Sequence, residues 1–107
     1  MSKSIKKVFV YTEVQASVPF TEAPWREMNP NLQKVKGLVR KTWLSGINSN
    51  SVGGLYEFDG LENAQNFAWN VFPQEARDLG VSFMTKLFDG DIAEEASRGM
   101  KSPHYDY

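Results

Sequence analysis

The segment SNSVGGLYEFDG, residues 49–60, holds the strand around which the rest of the predicted fold is arranged. Its Leu-Tyr-Glu-Phe alternation is typical of a strand and follows directly after Gly53 and Gly54. A glycine inside a strand often marks a bulge or a close approach of backbone or ligand. We expect Gly54, on the face of Tyr56, to clear space beside an aromatic wall. The alternative is that one glycine needs a positive φ at the end of a hairpin.

Hydrophobic periodicity places three further strands and two helices around this segment. The strands are predicted over residues 5–14, 38–45, 52–58 and 81–88. The first helix is predicted to begin after Thr21, its cap, and to end at Gly37, with a kink or a restart at Pro30. The second is predicted over residues 61–80, with a bend or an end at Pro73. The order βαββαβ is that of an α+β, ferredoxin-like plait with an antiparallel four-stranded sheet. Right-handed crossovers place strands one and three in the centre and both helices on one face.

The length and composition favour a single globular domain. The chain has 107 residues, of which 41% are hydrophobic and 23% charged, with a net charge of −1. We therefore predict a domain over residues 1–90 and a tail over residues 91–107, which forms a short helix or a dimer arm. The absence of cysteine excludes disulfides, iron–sulfur clusters and a thiol nucleophile.

The sequence also limits the partners that we expect. There is no clustered basic surface of the kind that binds nucleic acid. No apolar run approaches the ~18–20 residues that span a membrane. The basic and then apolar N-terminus is interpreted as the first strand, because Thr12 and Glu13 interrupt its apolar run before signal-peptide length is reached. We predict a cytoplasmic protein with no nucleic-acid or membrane partner.

Both faces of the predicted sheet carry apolar side chains. In the first strand Phe9 and Tyr11 point to one face, while Val8 and Val10 point to the other, and the fourth strand repeats this pattern. Two helices cover only one face, and large exposed apolar patches are rare on monomers. A homodimer with sheet packed against sheet is therefore predicted, unless the tail or a loop covers the second face.

Two segments of the chain resemble the YdhR-type monooxygenases of the dimeric α/β-barrel superfamily. They are GLVRKTWLSGINSNSVGGLYEFDGLENAQNF and RDLGVSFMTKLFD, and the match extends over residues 28–89. The positions that carry the resemblance are Gly37, Lys41, Trp43, Gly53, Gly54, Tyr56, Phe58, Leu79, Gly80 and Val81. The resemblance implies a dimeric ferredoxin-like fold and cofactor-free oxygenation of aromatic compounds.

The residues themselves offer an aromatic cavity rather than a known catalytic constellation. His104 is the single histidine, and we expect it to be a solvent-exposed tail residue, so the sequence predicts no metal site and no cofactor. Aromatic residues make up 13% of the chain. Lys41 and Trp43 are expected to share a strand face with Val39. The predicted catalytic residues are Trp43 and Tyr56, and the predicted substrate-binding residues are Tyr11, Arg40, Lys41, Gly54, Trp69 and Phe83.

Two functions from different classes follow from this pattern. The first is a cofactor-independent monooxygenase that holds a small aromatic or polycyclic phenol, excludes water and stabilises its phenolate while O₂ reacts. The second is a non-catalytic dimer that binds a small aromatic ligand, or in which the aromatic residues only pack the core. RNA binding is disfavoured because the aromatic pattern of an RNA-recognition strand is incomplete. Haem degradation is disfavoured because no interior histidine can serve as an axial ligand.

Overall fold

The computed structural model describes residues 4–16 and 18–105. Its four strands, β1 (Val8–Gln15), β2 (Leu38–Ser45), β3 (Ser51–Phe58) and β4 (Phe83–Asp89), form one antiparallel sheet in the order β2-β3-β1-β4. Its α-helices are α1 (Trp25–Leu32), α2 (Leu61–Asn66), α3 (Phe72–Leu79) and α4 (Glu94–Gly99). The predicted α+β, ferredoxin-like plait is confirmed. Residues 1–3 and 17 of the predicted domain and 106–107 of the predicted tail lie outside the described residues.

The core lies between the helices and one side of the sheet, which we call the helix face. On β1 and β3 the cross-strand pairs Val8–Phe58 and Val10–Tyr56 point to this side, and all four residues are buried. The helical residues that complete the core are Leu32, Ala64, Phe67, Ala68 and Phe72. Period-two burial in the strands is therefore matched by an apolar stripe on the helices, which is the arrangement that stabilises a two-layer domain.

The second helical region contains a π-helical turn. Phe67–Val71 connects α2 to α3, and Pro73 lies in the first turn of α3. A proline inside a helix removes one backbone donor and crowds the preceding turn, and the wider π turn is where this region departs from α geometry. The helix ends as predicted at Gly80, whose φ of +68° is the left-handed conformation that glycine adopts readily.

A β-bulge interrupts β2 at its start. Leu38 pairs with Phe58 and Arg40 pairs with Glu57, so Val39 has no partner in the register. The extra residue breaks the expected alternation: Leu38 shares the helix face with Lys41 and Trp43, because the three residues pair with Phe58, Tyr56 and Gly54. A pattern of period two cannot anticipate an inserted residue. Val39 has no partner in the register that fixes its face, so its predicted side stays a prediction.

The other side of the sheet, which we call the open face, is partly covered by the C-terminal segment. A 3₁₀ turn, Pro103–Tyr105, follows α4 and packs beside β1. The Tyr105 hydroxyl donates a hydrogen bond of 2.6 Å to the Gly90 carbonyl, and Tyr105 is buried. The rings of His104 and Tyr105 meet the Phe9 ring edge-on, with centroids 5.0 Å and 6.2 Å away.

The prediction that His104 is a solvent-exposed tail residue is wrong. Only 17% of its side chain is exposed, and Nδ1 lies 3.1 Å from the Glu57 carboxylate on the open face. Sequence position near a terminus suggested solvent, whereas the tail returns to the sheet. Among the described residues, no helix is long and apolar enough to cross a membrane.

Candidate functional site

A cleft of about 370 Å³ lies between α1 and the edge strand β2. Its volume is at the small end of the range for ligand sites. The walls combine polar and apolar side chains in equal number, and they are formed by Asn29, Leu32, Gln33, Leu38, Val39, Arg40, Lys41 and Trp43. The β-bulge forms part of the wall, since Leu38, Val39 and Arg40 all line the cleft.

Lys41 is the ionisable group that this site perturbs most clearly. Its ammonium nitrogen lies 3.1 Å from the centroid of the Trp43 ring and 4.5 Å from that of the Tyr56 ring. Burial lowers the pKa of Lys41 to about 7, although the charge of Glu75 on α3 acts in the opposite direction. Near neutral pH a large fraction of this amine is therefore unprotonated, which gives the cleft a group that can accept a proton.

Gly54 makes room for Lys41. A Cβ atom built on Gly54 would lie 2.6 Å from Lys41 Cε and 3.4 Å from the Tyr56 ring. Gly54 is not among the glycines with a positive φ, which are Gly37 and Gly80 in the described residues. The reason for glycine here is space and not backbone conformation, and the space is occupied by the lysine stem. At Gly53, a Cβ would overlap the Thr12 carbonyl oxygen, so this second glycine permits the close approach of β1.

Tyr56 lies behind Lys41 and does not line the cleft. It is 3% exposed. Burial raises its pKa, a hydrogen bond with the Thr12 side chain lowers it, and the charge of Glu75 raises it, with a net increase. The Tyr56 hydroxyl therefore stays protonated and is bonded to Thr12, while its ring forms a wall for the Lys41 ammonium group.

Trp43 joins β2 to α1 across the cleft. Its indole Nε1–H donates a hydrogen bond of 2.9 Å to Asn29 Oδ1. The Phe20 ring lies 5.7 Å from the Trp43 ring and covers it from the loop before α1. The indole N–H of Trp43 is thus already bonded to Asn29, so Trp43 can contact a ligand only through its aromatic ring.

The remaining predicted site residues are dispersed. Tyr11 lies on the open face, where its hydroxyl donates to Glu13 at 2.8 Å, and this bond raises its pKa. The guanidinium of Arg40 turns to Glu57, at 3.4 Å, although Arg40 also contributes to the cleft wall. Phe83 packs edge-on against Phe72 at 5.7 Å, on the far edge of the sheet. Trp69, in the π-helical turn, is 58% exposed.

The structure therefore brings together four predicted residues, Lys41, Trp43, Gly54 and Tyr56. It adds three that the sequence interpretation missed: Asn29, Thr12 and Glu75. Asn29 directly precedes Pro30, the predicted helix interruption, but nothing in the sequence links it to Trp43. Thr12 is opposite Gly54 in the register, and Glu75 acts on Lys41 from α3, so both relations depend on tertiary packing.

A cluster of charged residues lies on the open face, apart from the cleft, and is centred on Glu57, which is 4% exposed. Lys7 Nζ donates to Glu57 Oε2 at 2.8 Å and also to the His104 carbonyl at 2.8 Å. Burial alone would raise the pKa of Glu57, but bonds from Lys7 and His104 and the charges of Lys7 and Arg40 hold it below its usual value. This cluster fastens the C-terminal turn to the sheet.

No protein-family model and no curated protein matches this chain. Among the described residues, no group of three or more histidine, cysteine, aspartate or glutamate side chains could hold a metal ion. The site is a small cleft with one aromatic wall residue, Trp43, and one partly buried amine, Lys41.

Proposed function

We propose that this protein is a cofactor-independent monooxygenase of the YdhR type, which converts a small phenol to a quinone in the cleft between α1 and β2. The observation that supports the proposal is Lys41, an amine at the cleft wall, held between two aromatic rings, with a pKa lowered to about 7 by burial. An amine with this pKa can accept the proton of a bound phenol near neutral pH and then pair with the phenolate.

The aromatic walls suit the rest of the reaction. The Trp43 ring supplies a flat surface for a substrate ring, and its hydrogen bond to Asn29 fixes that surface. Leu32 and Leu38 on the cleft wall offer apolar contacts to the substrate ring. Exclusion of water strengthens the electrostatic pairing of ammonium and phenolate. A cleft of about 370 Å³ suits a phenol of one or two rings.

The oxidation needs no added reductant when the phenol carries hydrogen on the para carbon. The phenolate gives one electron to O₂, and the resulting radicals combine to form a peroxide at that carbon. Loss of water, which takes one oxygen atom and the para hydrogen together with a proton, leaves a second carbonyl. One phenol and one O₂ thus give one quinone and one water, with one oxygen atom retained in the product.

A homodimer and a cytoplasmic location belong to the same proposal. The open face retains exposed apolar side chains at Leu44, Met84 and Phe88, with 38%, 38% and 50% of each residue exposed. The C-terminal turn covers only the end of this face near Phe9. A second copy, packed sheet to sheet, would cover the rest.

The proposal is tested with 1-naphthol as the probe and purified protein treated with a chelator, without flavin. We expect formation of 1,4-naphthoquinone by the wild type and a large loss of rate in Lys41→Met, which removes the amine but keeps a similar volume. Lys36→Met, at an exposed lysine, is the control and should keep full activity. Saturable binding of 1-naphthol without quinone formation would overturn the oxygenase proposal and favour the aromatic-ligand-binding protein. A requirement for metal or reduced flavin would overturn the proposed mechanism.

A further inference from the structure

We propose that Lys41 forms a reversible imine with aromatic aldehydes and ketones that enter the cleft between α1 and β2. This activity goes beyond the oxygenation and does not depend on it, since it consumes no O₂. The reasons are the position of the amine, the absence of a competing ion pair and the support of its stem by β3.

The first reason is access combined with confinement. Lys41 is partly buried and lines a cleft large enough for a small aromatic molecule. Its Cε rests in the space left by Gly54, so the stem is held against the sheet while the amine faces the rings. An incoming aryl carbonyl can lie along the Trp43 surface with its carbonyl carbon directed at the amine.

The second reason is that no carboxylate holds the Lys41 amine. Among residues 4–16 and 18–105, no acidic side chain lies within ion-pair distance of Lys41. Lys7 provides the contrast, because its ammonium group is bonded to Glu57 and to the His104 carbonyl. A partly buried lysine without a salt bridge is the kind that serves as a nucleophile or Schiff-base residue in enzymes.

The reaction balances without a further reagent. The unprotonated amine attacks the carbonyl carbon, and a proton moves from nitrogen to oxygen to give a carbinolamine. Loss of water then forms the C=N bond. Because burial lowers the pKa of Lys41 to about 7, the free amine is abundant near neutral pH. The departing oxygen takes its proton from solvent water, so the step requires no second side chain.

The experiment traps the imine by reduction. The protein is incubated under nitrogen with 2-naphthaldehyde and sodium cyanoborohydride, and the modified lysine is located by peptide mass spectrometry. At pH 7 we expect Lys41 to be labelled at least ~10-fold faster than Lys36 and Lys86, which are exposed. The labelling rate at Lys41 should reach half its maximum near pH 7. The labelling rate of free Nα-acetyl-lysine should reach half its maximum only near pH ~10.4.

Two matched variants complete the test. Lys41→Arg keeps a positive charge but cannot form an imine, so the dominant label should disappear, whereas Lys36→Arg should keep it. Equal labelling of all lysines, or slower labelling at Lys41 than at Lys36, would overturn the proposal. Peptide mapping of the wild type decides the question even where Lys41→Arg does not fold. Because the experiment excludes O₂, its result is independent of whether 1-naphthol is oxidised.

Discussion

Lys41 Cε lies 2.6 Å from the point where a side chain of Gly54 would begin, so these two residues of neighbouring strands share one space. The glycine does not lie in the left-handed region, and its role is to let the lysine stem lie flat on β3. The amine is thereby brought to the faces of Trp43 and Tyr56. A methyl group in place of the Gly54 hydrogen should therefore displace Lys41 and change its chemistry.

We expect Gly54→Ala to fold but to displace Lys41 from the rings. The new methyl group meets the flexible end of a side chain, although the Thr42 carbonyl at 3.1 Å limits the adjustment. Affinity for 1-naphthol should fall about 10-fold or more, which corresponds to about 1.4 kcal/mol. Fluorescence titration of the tryptophans measures this. Gly99→Ala is the control, since nothing lies within 4 Å of that position. Unchanged affinity in Gly54→Ala would show that the position of Lys41 is not what binds the phenol.

The pH dependence of stability should report the buried amine. The pKa of Lys41 is lowered on folding to about 7, so between that value and its usual value near 10.4 the unfolded chain binds more protons. The free energy of unfolding of the wild type should therefore rise with pH across this window, relative to Lys41→Met. Wild type should gain roughly 4 kcal/mol of unfolding free energy relative to Lys41→Met between pH 6 and pH 10.5. Urea denaturation measures it, and parallel pH profiles would contradict a buried amine.

The ion pairs of Glu57 should stabilise the fold above acidic pH and be lost at low pH, because they require an ionised Glu57 carboxylate. Folding lowers the pKa of Glu57. The contribution of Glu57 to the free energy of unfolding is therefore present above the usual carboxylate pKa and is lost as the pH falls through the folded pKa. At pH 6, Glu57→Gln should reduce the free energy of unfolding by about 3 kcal/mol, because Lys7 loses its buried partner. This difference should shrink toward pH 3. Glu94→Gln, which removes an exposed i,i+4 pair with Arg98, should change stability by only ~0.5 kcal/mol. Equal effects of the two variants would mean that Glu57 does not anchor the tail.

The open face should mediate self-association. Light scattering coupled to size exclusion is expected to give about twice the chain mass of 12.1 kDa. Met84→Lys places a charge in the exposed apolar part of this face and should yield monomers, whereas Leu79→Lys, at an exposed site on α3, should remain dimeric. A monomeric wild type would contradict the dimer and leave the C-terminal turn as the only cover of this face that the described residues provide.

The strands and their order could be predicted from the sequence because they depend on local periodicity and on the handedness of crossovers. The β-branched and aromatic alternation predicted the strands, and right-handed crossovers placed β1 and β3 in the centre, which is confirmed. The face shared by Lys41, Trp43, Gly54 and Tyr56 also follows from period-two alternation within β2 and β3. These relations involve residues that are neighbours in a strand or across a single hairpin.

The parts that sequence reasoning missed depend on contacts between distant elements. The bulge at Val39 inserts a residue that alternation cannot reveal, and it shifts the start of β2. His104 contacts Glu57 across 47 positions of the chain, and a terminal location gave no sign of that contact. Asn29 contacts Trp43 from α1, and the charge of Glu75 acts on Lys41 from α3. The sequence pattern of these helices describes only which side is buried.

The fate of molecular oxygen provides the decisive test of the proposed reaction. Metal-free, flavin-free protein is incubated with 1-naphthol under ¹⁸O₂, and the quinone is analysed by mass spectrometry. The account predicts one ¹⁸O atom in each 1,4-naphthoquinone formed by the wild type, and no product above background from Lys41→Met. A quinone without ¹⁸O, or equal product from both proteins, would contradict the assignment of oxygenation to the Lys41 cleft.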